Sequence, residues 1–157
     1  MRRSAIQGTL LLLVALASCA RVADEGTTVD AASLDATVDS LLRASERAWN
    51  GGDLDGFLHW YAGGSETSFM RSRGPIYGWE TIRDLYAPRF EPGADRDSLR
   101  FEDVATRPLG PGLGLATFRY VLFRGDSTTS NGIVTLVLAE GPEGWRIVHD
   151  HSSESPD

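Results

Sequence analysis

The sequence predicts an α+β fold in which helices pack on one face of a curved antiparallel sheet. Two observations carry this expectation. Apolar residues recur every three or four positions as far as Tyr86 and alternate thereafter, so helices give way to strands midway along the chain. Stretches of turn composition and hairpin length, "RGDSTTSNG" and "EGPEG", separate the alternating runs, as in a meander. A length of 157 residues with an apolar fraction of 41% suits one ordinary globular domain around one core.

The first helix is marked by Leu34, Val38, Leu41, Leu42, Ser45 and Trp49, whose spacing puts one stripe on a single face. Asp30 or Ser33 caps its start, and Asn50-Gly51-Gly52 ends it, because glycine adopts the left-handed conformation of a C-cap without a Cβ clash. Asp53 then caps a second, shorter helix carrying Leu54, Phe57, Leu58 and Tyr61, interrupted by Gly63-Gly64. Residues 66–70 read as a short strand and "SRGPIYG" as a turn. Trp79, Ile82, Leu85 and Tyr86 form a third amphipathic helix that stops before Pro88. Four strands follow, at about 99–104, 113–123, 133–138 and 145–152, with no internal repeat.

The N-terminal segment stands apart. Arg2 and Arg3, an apolar run over 10–16 and small residues ending at Cys19 form the pattern of a secretory signal, and the run is too short to cross a bilayer as a helix. Leu16-Ala17-Ser18-Cys19 resembles the bacterial lipobox, in which the cysteine is acylated and becomes the new N-terminus, and Cys19 is the only cysteine present. The expected organisation is therefore a signal segment 1–19, a polar tether 20–30 and one domain 31–154. The domain is expected at the cell envelope, facing the periplasm or the exterior and touching the membrane only through its lipid.

Loss of Arg2 and Arg3 leaves 13 arginines against 22 acids, a net charge of −9, which argues against a nucleic-acid partner. The chain has no lysine, and no cysteine beyond position 19. Thiol catalysis, disulfides, cysteine–zinc sites, Schiff bases and lysine-dependent phosphate loops are thereby excluded.

Two of the three histidines flank Asp150 in "GWRIVHDHSS" (144–153). His149 and His151 share a strand face, but two ligands are too few for a metal and His59 is the only other histidine. They read as structural, hydrogen-bonded side chains, and no metal or cofactor is expected. Alternation groups Trp145, Ile147, His149 and His151 on the core face, with Arg146, Val148, Asp150 and Ser152 opposite. Asp150 is the candidate catalytic residue, since a carboxylate enclosed by apolar walls has a raised pKa and can act as general base or acid. Its plainer role is an ion pair with Arg119.

"AWNGGDLDGFLHWYA" (48–62) and "YGWETIRDLY" (77–86) resemble the second and third helices of the SnoaL-like branch of the nuclear transport factor 2-like superfamily. "GWRIVHDHSS" and "ATFRYVL" (116–122) resemble strands of the association domain of calcium/calmodulin-dependent kinase II. The resemblance spans about residues 32–154. It implies a cone-shaped curved antiparallel sheet with three N-terminal helices enclosing a pocket, and a homodimer formed through the opposite sheet face. It also turns Val148 and Asp150 toward the pocket and the histidines toward the dimer side. Ser152 falls where the association domain carries an arginine, and Arg119 aligns with a pocket arginine, which makes Arg119 a candidate ligand clamp. Tyr61 borders the pocket and can donate to an oxyanion. Trp79, like Trp60 and Tyr120, is a candidate for its lining.

This superfamily hosts isomerases, hydrolases, cyclases and non-catalytic modules on one scaffold. The expected function is binding of an unidentified small molecule in the pocket. The alternatives are a proton-transfer enzyme of isomerase, dehydratase or cyclase type using Asp150 with Arg119 or Tyr61, and an oligomerisation module.

Overall fold

The computed structural model describes residues 30–155; the signal segment, Cys19 and the tether up to residue 29 lie outside the described residues. Helix α1 (Ala31–Gly51) buries Leu34, Val38, Leu41, Leu42, Ser45 and Trp49, the stripe that the spacing predicts. Asp30 caps it by accepting from the Ser33 N–H at 3.3 Å, and Gly52 ends it at φ 78°. Helix α2 (Leu54–Leu58), capped by Asp53, is shorter than expected. The chain leaves it early because residues 60–62 pair with the last strand: the Ile147 N–H donates to Trp60 O and the Ala62 N–H to Ile147 O.

Strands β1 (Ser68–Arg71) and β2 (Gly74–Tyr77), helix α3 (Trp79–Tyr86) and a 3-10 turn (Ala87–Arg89) come next. "SRGPIYG" thus holds a strand as well as a turn. β2 lies at the sheet edge, where Pro75 is tolerated, and its Ile76 sits opposite Phe69 and packs on the core. The four-strand meander then runs β3 (Ser98–Gly110), β4 (Leu113–Arg124), β5 (Ser127–Gly141) and β6 (Gly144–Glu154). All four strands exceed the lengths read from alternation. In β5 the turn is confined to Gly125-Asp126, and the polar Thr129 and Ser130 continue the strand with their hydroxyls bonded to Asp97 and Glu154.

The six strands form one sheet in the order β2-β1-β6-β5-β4-β3, antiparallel except where β1 runs parallel to β6. The fold is α+β, with the helices on the concave face of the sheet. Leu58, Ile82, Phe118, Leu136, Leu138 and Ile147 bury against the α1 stripe to make one core.

Polar side chains of α1 run along β3, the free edge of the meander. Asn50 accepts from the Leu99 N–H at 2.8 Å and donates to Leu99 O at 2.9 Å, while Glu46 accepts from the Phe101 N–H at 2.5 Å. Asp35 accepts from the Thr106 hydroxyl. From Asp35 to Asn50 the helix rises roughly 22 Å, and from Leu99 to Thr106 an extended strand covers about 23 Å, so the two run side by side in opposite directions. A bulge between Glu102 and Ala105, with Asp103 at φ 55°, bends β3 to follow the helix. An edge that would otherwise expose unpaired backbone is thereby covered.

Two glycines mark close approaches. A Cβ on Gly114 would meet Leu34 Cδ1 at 2.6 Å, so its absence lets the start of α1 settle on β4. A Cβ on Gly132 would collide with Ser153 O and meet Tyr120 Cε1 at 2.6 Å, so its absence lets the β6 backbone and the Tyr120 ring both close on β5.

Candidate functional site

Between the helices and the concave face lies a cavity of about 280 Å³. Leu41, Leu42 and Trp49 of α1 and Phe57 of α2 form one wall; Phe101, Phe118, Tyr120 and Leu136 of the sheet form the other. Phe69 and Arg71 of β1 and Tyr86 at the end of α3 close a side, and the exposed Ser72, Arg89 and Glu154 mark the mouth. The volume lies just under the usual ligand-pocket range of roughly 300–1,000 Å³, which sets the size of an occupant as small.

The polar group inside the cavity depends on an irregularity in β6. Leu138 of β5 pairs with Ile147, but its neighbour Val137 pairs with His149, so Val148 is an extra residue in β6. Side-chain parity reverses there. Ile147 before the bulge and Asp150 and Ser152 after it all line the cavity, whereas strict alternation puts Ile147 and Asp150 on opposite faces. The expectation that Trp145, Ile147, His149 and His151 share one face is therefore corrected: Ile147 is buried in the core, and the two histidines lie on the other side. His149 Nδ1 shares a 2.8 Å hydrogen bond with Ser68 Oγ, and the exposed His151 shares a 3.1 Å bond with Ser153 Oγ. Val148, expected toward the pocket, is the bulged residue and is not among those lining it. Among the described residues, no group of three His, Cys, Asp or Glu side chains is arranged to hold a metal ion.

Asp150 is 4% exposed. Tyr61 Oη donates to its Oδ2 at 2.5 Å, and Ser152 Oγ donates to its Oδ1 at 2.9 Å. Removal from water raises the Asp150 pKa from 3.8 to about 6, against the opposing pull of the Tyr61 and Ser152 bonds. Burial, and then the Asp150 charge, push the Tyr61 hydroxyl well above its ordinary value, so it stays a proton donor. Burial and Asp150 likewise raise Tyr86, while the positive charges of Arg89 and Arg71 pull it back. At neutral pH the site is thus a largely ionised carboxylate held by two hydroxyls, with two of its four lone-pair positions unused.

Of the residues singled out from sequence, the structure brings Asp150 and Tyr61 into direct contact in the cavity. It does not bring Arg119 there. On β4 the residues Phe118, Tyr120 and Leu122 line the cavity, so Arg119 projects from the opposite face, where Nη1 donates to Asn131 at 3.1 Å and Nε lies 3.6 Å from Asp103. The expected Asp150–Arg119 pair is corrected accordingly: the carboxylate partner of Arg119 is Asp103. Trp79 opens α3 and packs half-buried on the outside of the core without lining the cavity. Trp60 behaves similarly, its ring 5.3 Å from that of the exposed His59.

Sequence reasoning missed the arginines that do line the cavity, Arg71 and Arg89, and the hydroxyl of Tyr86. The available signal was Phe69-x-Arg71 on a four-residue strand, where alternation puts the cation on the face of a core phenylalanine.

A curved sheet roofed by helices over a half-enclosed cavity defines the nuclear transport factor 2-like class. Within it, the chain belongs to the SnoaL-like domain family, whose profile matches residues 38–157. A nuclear transport factor 2-like protein of unknown function from Shewanella oneidensis is similar at 25% identity and TM-score 0.68, over 76% of this chain and 98% of that one. A protein of unknown function from Pectobacterium atrosepticum is similar at 26% identity and TM-score 0.59, over 77% of this chain and 90% of that one. A protein from Thiobacillus denitrificans, named for the calcium/calmodulin-dependent protein kinase type II association domain, shares the fold at 19% identity and TM-score 0.63, over 75% and 94% of the two chains. No curated protein matches the chain significantly.

The raised pKa of Asp150 fixes the sign of a stability effect. An acid that binds its proton more tightly when folded contributes stability that is complete below about pH 4 and lost as the pH climbs through about 6. The difference in unfolding free energy between the parent and Asp150→Asn should therefore shift by roughly 2 kcal/mol in favour of the variant between pH 4 and pH 7. Urea denaturation across that range checks it, and a difference independent of pH would mean that Asp150 ionises as freely folded as unfolded.

Proposed function

We propose that this SnoaL-like domain binds a small, mainly apolar molecule in its cavity, with the Tyr61–Asp150–Ser152 group contacting a polar atom of that molecule. The observation that carries this reading is the half-enclosed, aromatic-lined space with one hydrogen-bonded carboxylate on its wall, the composition expected of a small-molecule site. The full chain should bind an uncharged apolar probe such as indole. Leu136→Trp, which fills the cavity from β5, should weaken that binding at least about tenfold. Equal binding by parent and variant in isothermal titration would place the probe elsewhere and reject the cavity as its site.

A second reading, a proton-transfer enzyme of isomerase or dehydratase type, is favoured by Asp150 itself. A buried carboxylate with a pKa of about 6 has a basicity suited to taking a proton near neutral pH, and the Tyr61 hydroxyl beside it remains able to donate. With a substrate in hand, Asp150→Asn should lower turnover by roughly 10²–10⁴ while leaving binding within a few-fold. Unchanged turnover would remove Asp150 from the chemistry and leave the binding role.

The same proposal includes a lipid anchor at Cys19 and a homodimer through the convex sheet face. The lipobox-like Leu16-Ala17-Ser18-Cys19 supports the first. On the face turned from the cavity, Leu115 of β4 beside Val137 of β5, with Leu113 at one end and Ile133 farther along opposite Arg119, supports the second, Ile133 being 46% exposed. Cys19→Ser should free the chain from membranes. Ile133→Arg should shift sedimentation toward the monomer, and a variant that sediments as the parent does would exclude this face.

A further inference from the structure

The cavity contains a charge that the fold leaves unmatched. Arg71 closes β1, one residue beyond the parallel register that sets Phe69 beside Asp150 and Met70 beside His151. Phe69 and Arg71 alternate onto the same face, so the Arg71 Cα lies one pleat, roughly 7 Å along the strand, beyond Phe69, and the Arg71 side chain lines the same cavity as Asp150. It pairs with neither Asp150 nor Glu154. Asp150 is held by Tyr61 and Ser152, and Glu154 accepts from Ser130 Oγ at 2.8 Å. Among the described residues no acceptor meets Arg71 at all, and its Nε is buried without a partner. Arg89 approaches the same spot from the 3-10 turn, its guanidinium 5.9 Å from the centre of the Tyr86 ring, which lines the cavity.

A guanidinium stays charged at any accessible pH and presents a planar fork of donors that matches a carboxylate. Around it are rings, Phe69, Tyr86 and Tyr120, that accept an apolar body. The two carboxylates of the lining disfavour a dianion such as phosphate, whereas a monoanion needs only one guanidinium.

The geometry points to a small amphiphilic monocarboxylate as the ligand class, its carboxylate held at the mouth by Arg71 with Arg89 beside it and its apolar body inside against the aromatic wall. This rests on the cavity reading above and narrows it, making Arg71 the residue that selects for an acid.

The test uses the full chain with benzoate, benzamide, indole and inorganic phosphate in isothermal titration. Benzoate should bind at least about tenfold more tightly than its uncharged amide, and phosphate at the same concentration should not displace it. Arg71→Leu should erase the preference by weakening benzoate while leaving benzamide and indole as they were. Arg71→Lys, which keeps the charge, should retain part of the preference. Because Arg71 makes no hydrogen bond to the rest of the fold, an unchanged melting temperature confirms that the variants are folded.

Equal affinity for benzoate and benzamide, an intact preference in Arg71→Leu, or displacement by phosphate would each overturn the carboxylate assignment. Binding of indole without either benzene derivative would do the same and leave the cavity reading standing. Failure of all three organic probes would sink the cavity reading, and the assignment with it.

Discussion

The extra residue at Val148 is the constraint on which the rest of the site depends. A regular strand that buries Ile147 must expose Asp150, because side chains three positions apart lie on opposite faces. The bulge turns both inward, so β6 gives the core an isoleucine at one end and gives the cavity a carboxylate and a hydroxyl at the other. The backbone of Ile147 meanwhile bonds to Trp60 and Ala62, which draws the segment after α2 along β6 and brings Tyr61 over the cavity. The Tyr61–Asp150 hydrogen bond is thus a result of two backbone features, one bulge and one parallel bridge, rather than of a chance meeting of side chains.

The enclosure of that site has a second source on the far side of the sheet. β3 is the last strand of the sheet, and an edge strand leaves the backbone groups on its outer side without a strand partner. Here α1 supplies partners through Asn50, Glu46 and Asp35, each reaching β3 from the polar flank of a helix whose apolar stripe faces the core. One helix therefore both fills the interior and covers the edge. The left-handed backbone of Asp103 is the local cost, of order 1 kcal/mol, of keeping strand and helix in step.

Much of this was legible in the sequence, for reasons that particular residues make clear. The α1 stripe, the Asp30, Asp53 and Gly52 caps and the four long strands rest on local periodicity and capping chemistry, which a sequence states directly. Asp150 and Tyr61 were identifiable because an acid in an apolar strand and a tyrosine on an apolar helix face are chemically conspicuous. The parity of β6 was not legible, since a bulge depends on which residues of β5 lie opposite. Arg119 was misplaced for a related reason: on a strand of alternating faces, a matching motif does not say which side is hollow. Arg71 was passed over because β1 and β2 are only four residues each and owe their existence to pairing with β6 and with each other.

What makes the cavity chemically unusual is that its acid and its nearest arginine are not paired with each other. Had Arg71 met Asp150, the positive charge would have held the carboxyl well below the usual range, and both groups would have been consumed as a buried ion pair. Tyr61 and Ser152 occupy the carboxylate instead. Neutral donors satisfy its geometry without supplying an opposing charge, so burial still dominates and the pKa stays near 6. The arginine lines the same cavity with its buried Nε unpartnered among the described residues. A scaffold that needed only to fill its interior would be better served by an aliphatic residue at each position, since keeping an ionised carboxylate out of water costs folding free energy. Acid and arginine therefore share one small space without meeting, the carboxylate bonded to Tyr61 and Ser152 and the arginine with its buried Nε free of a protein partner.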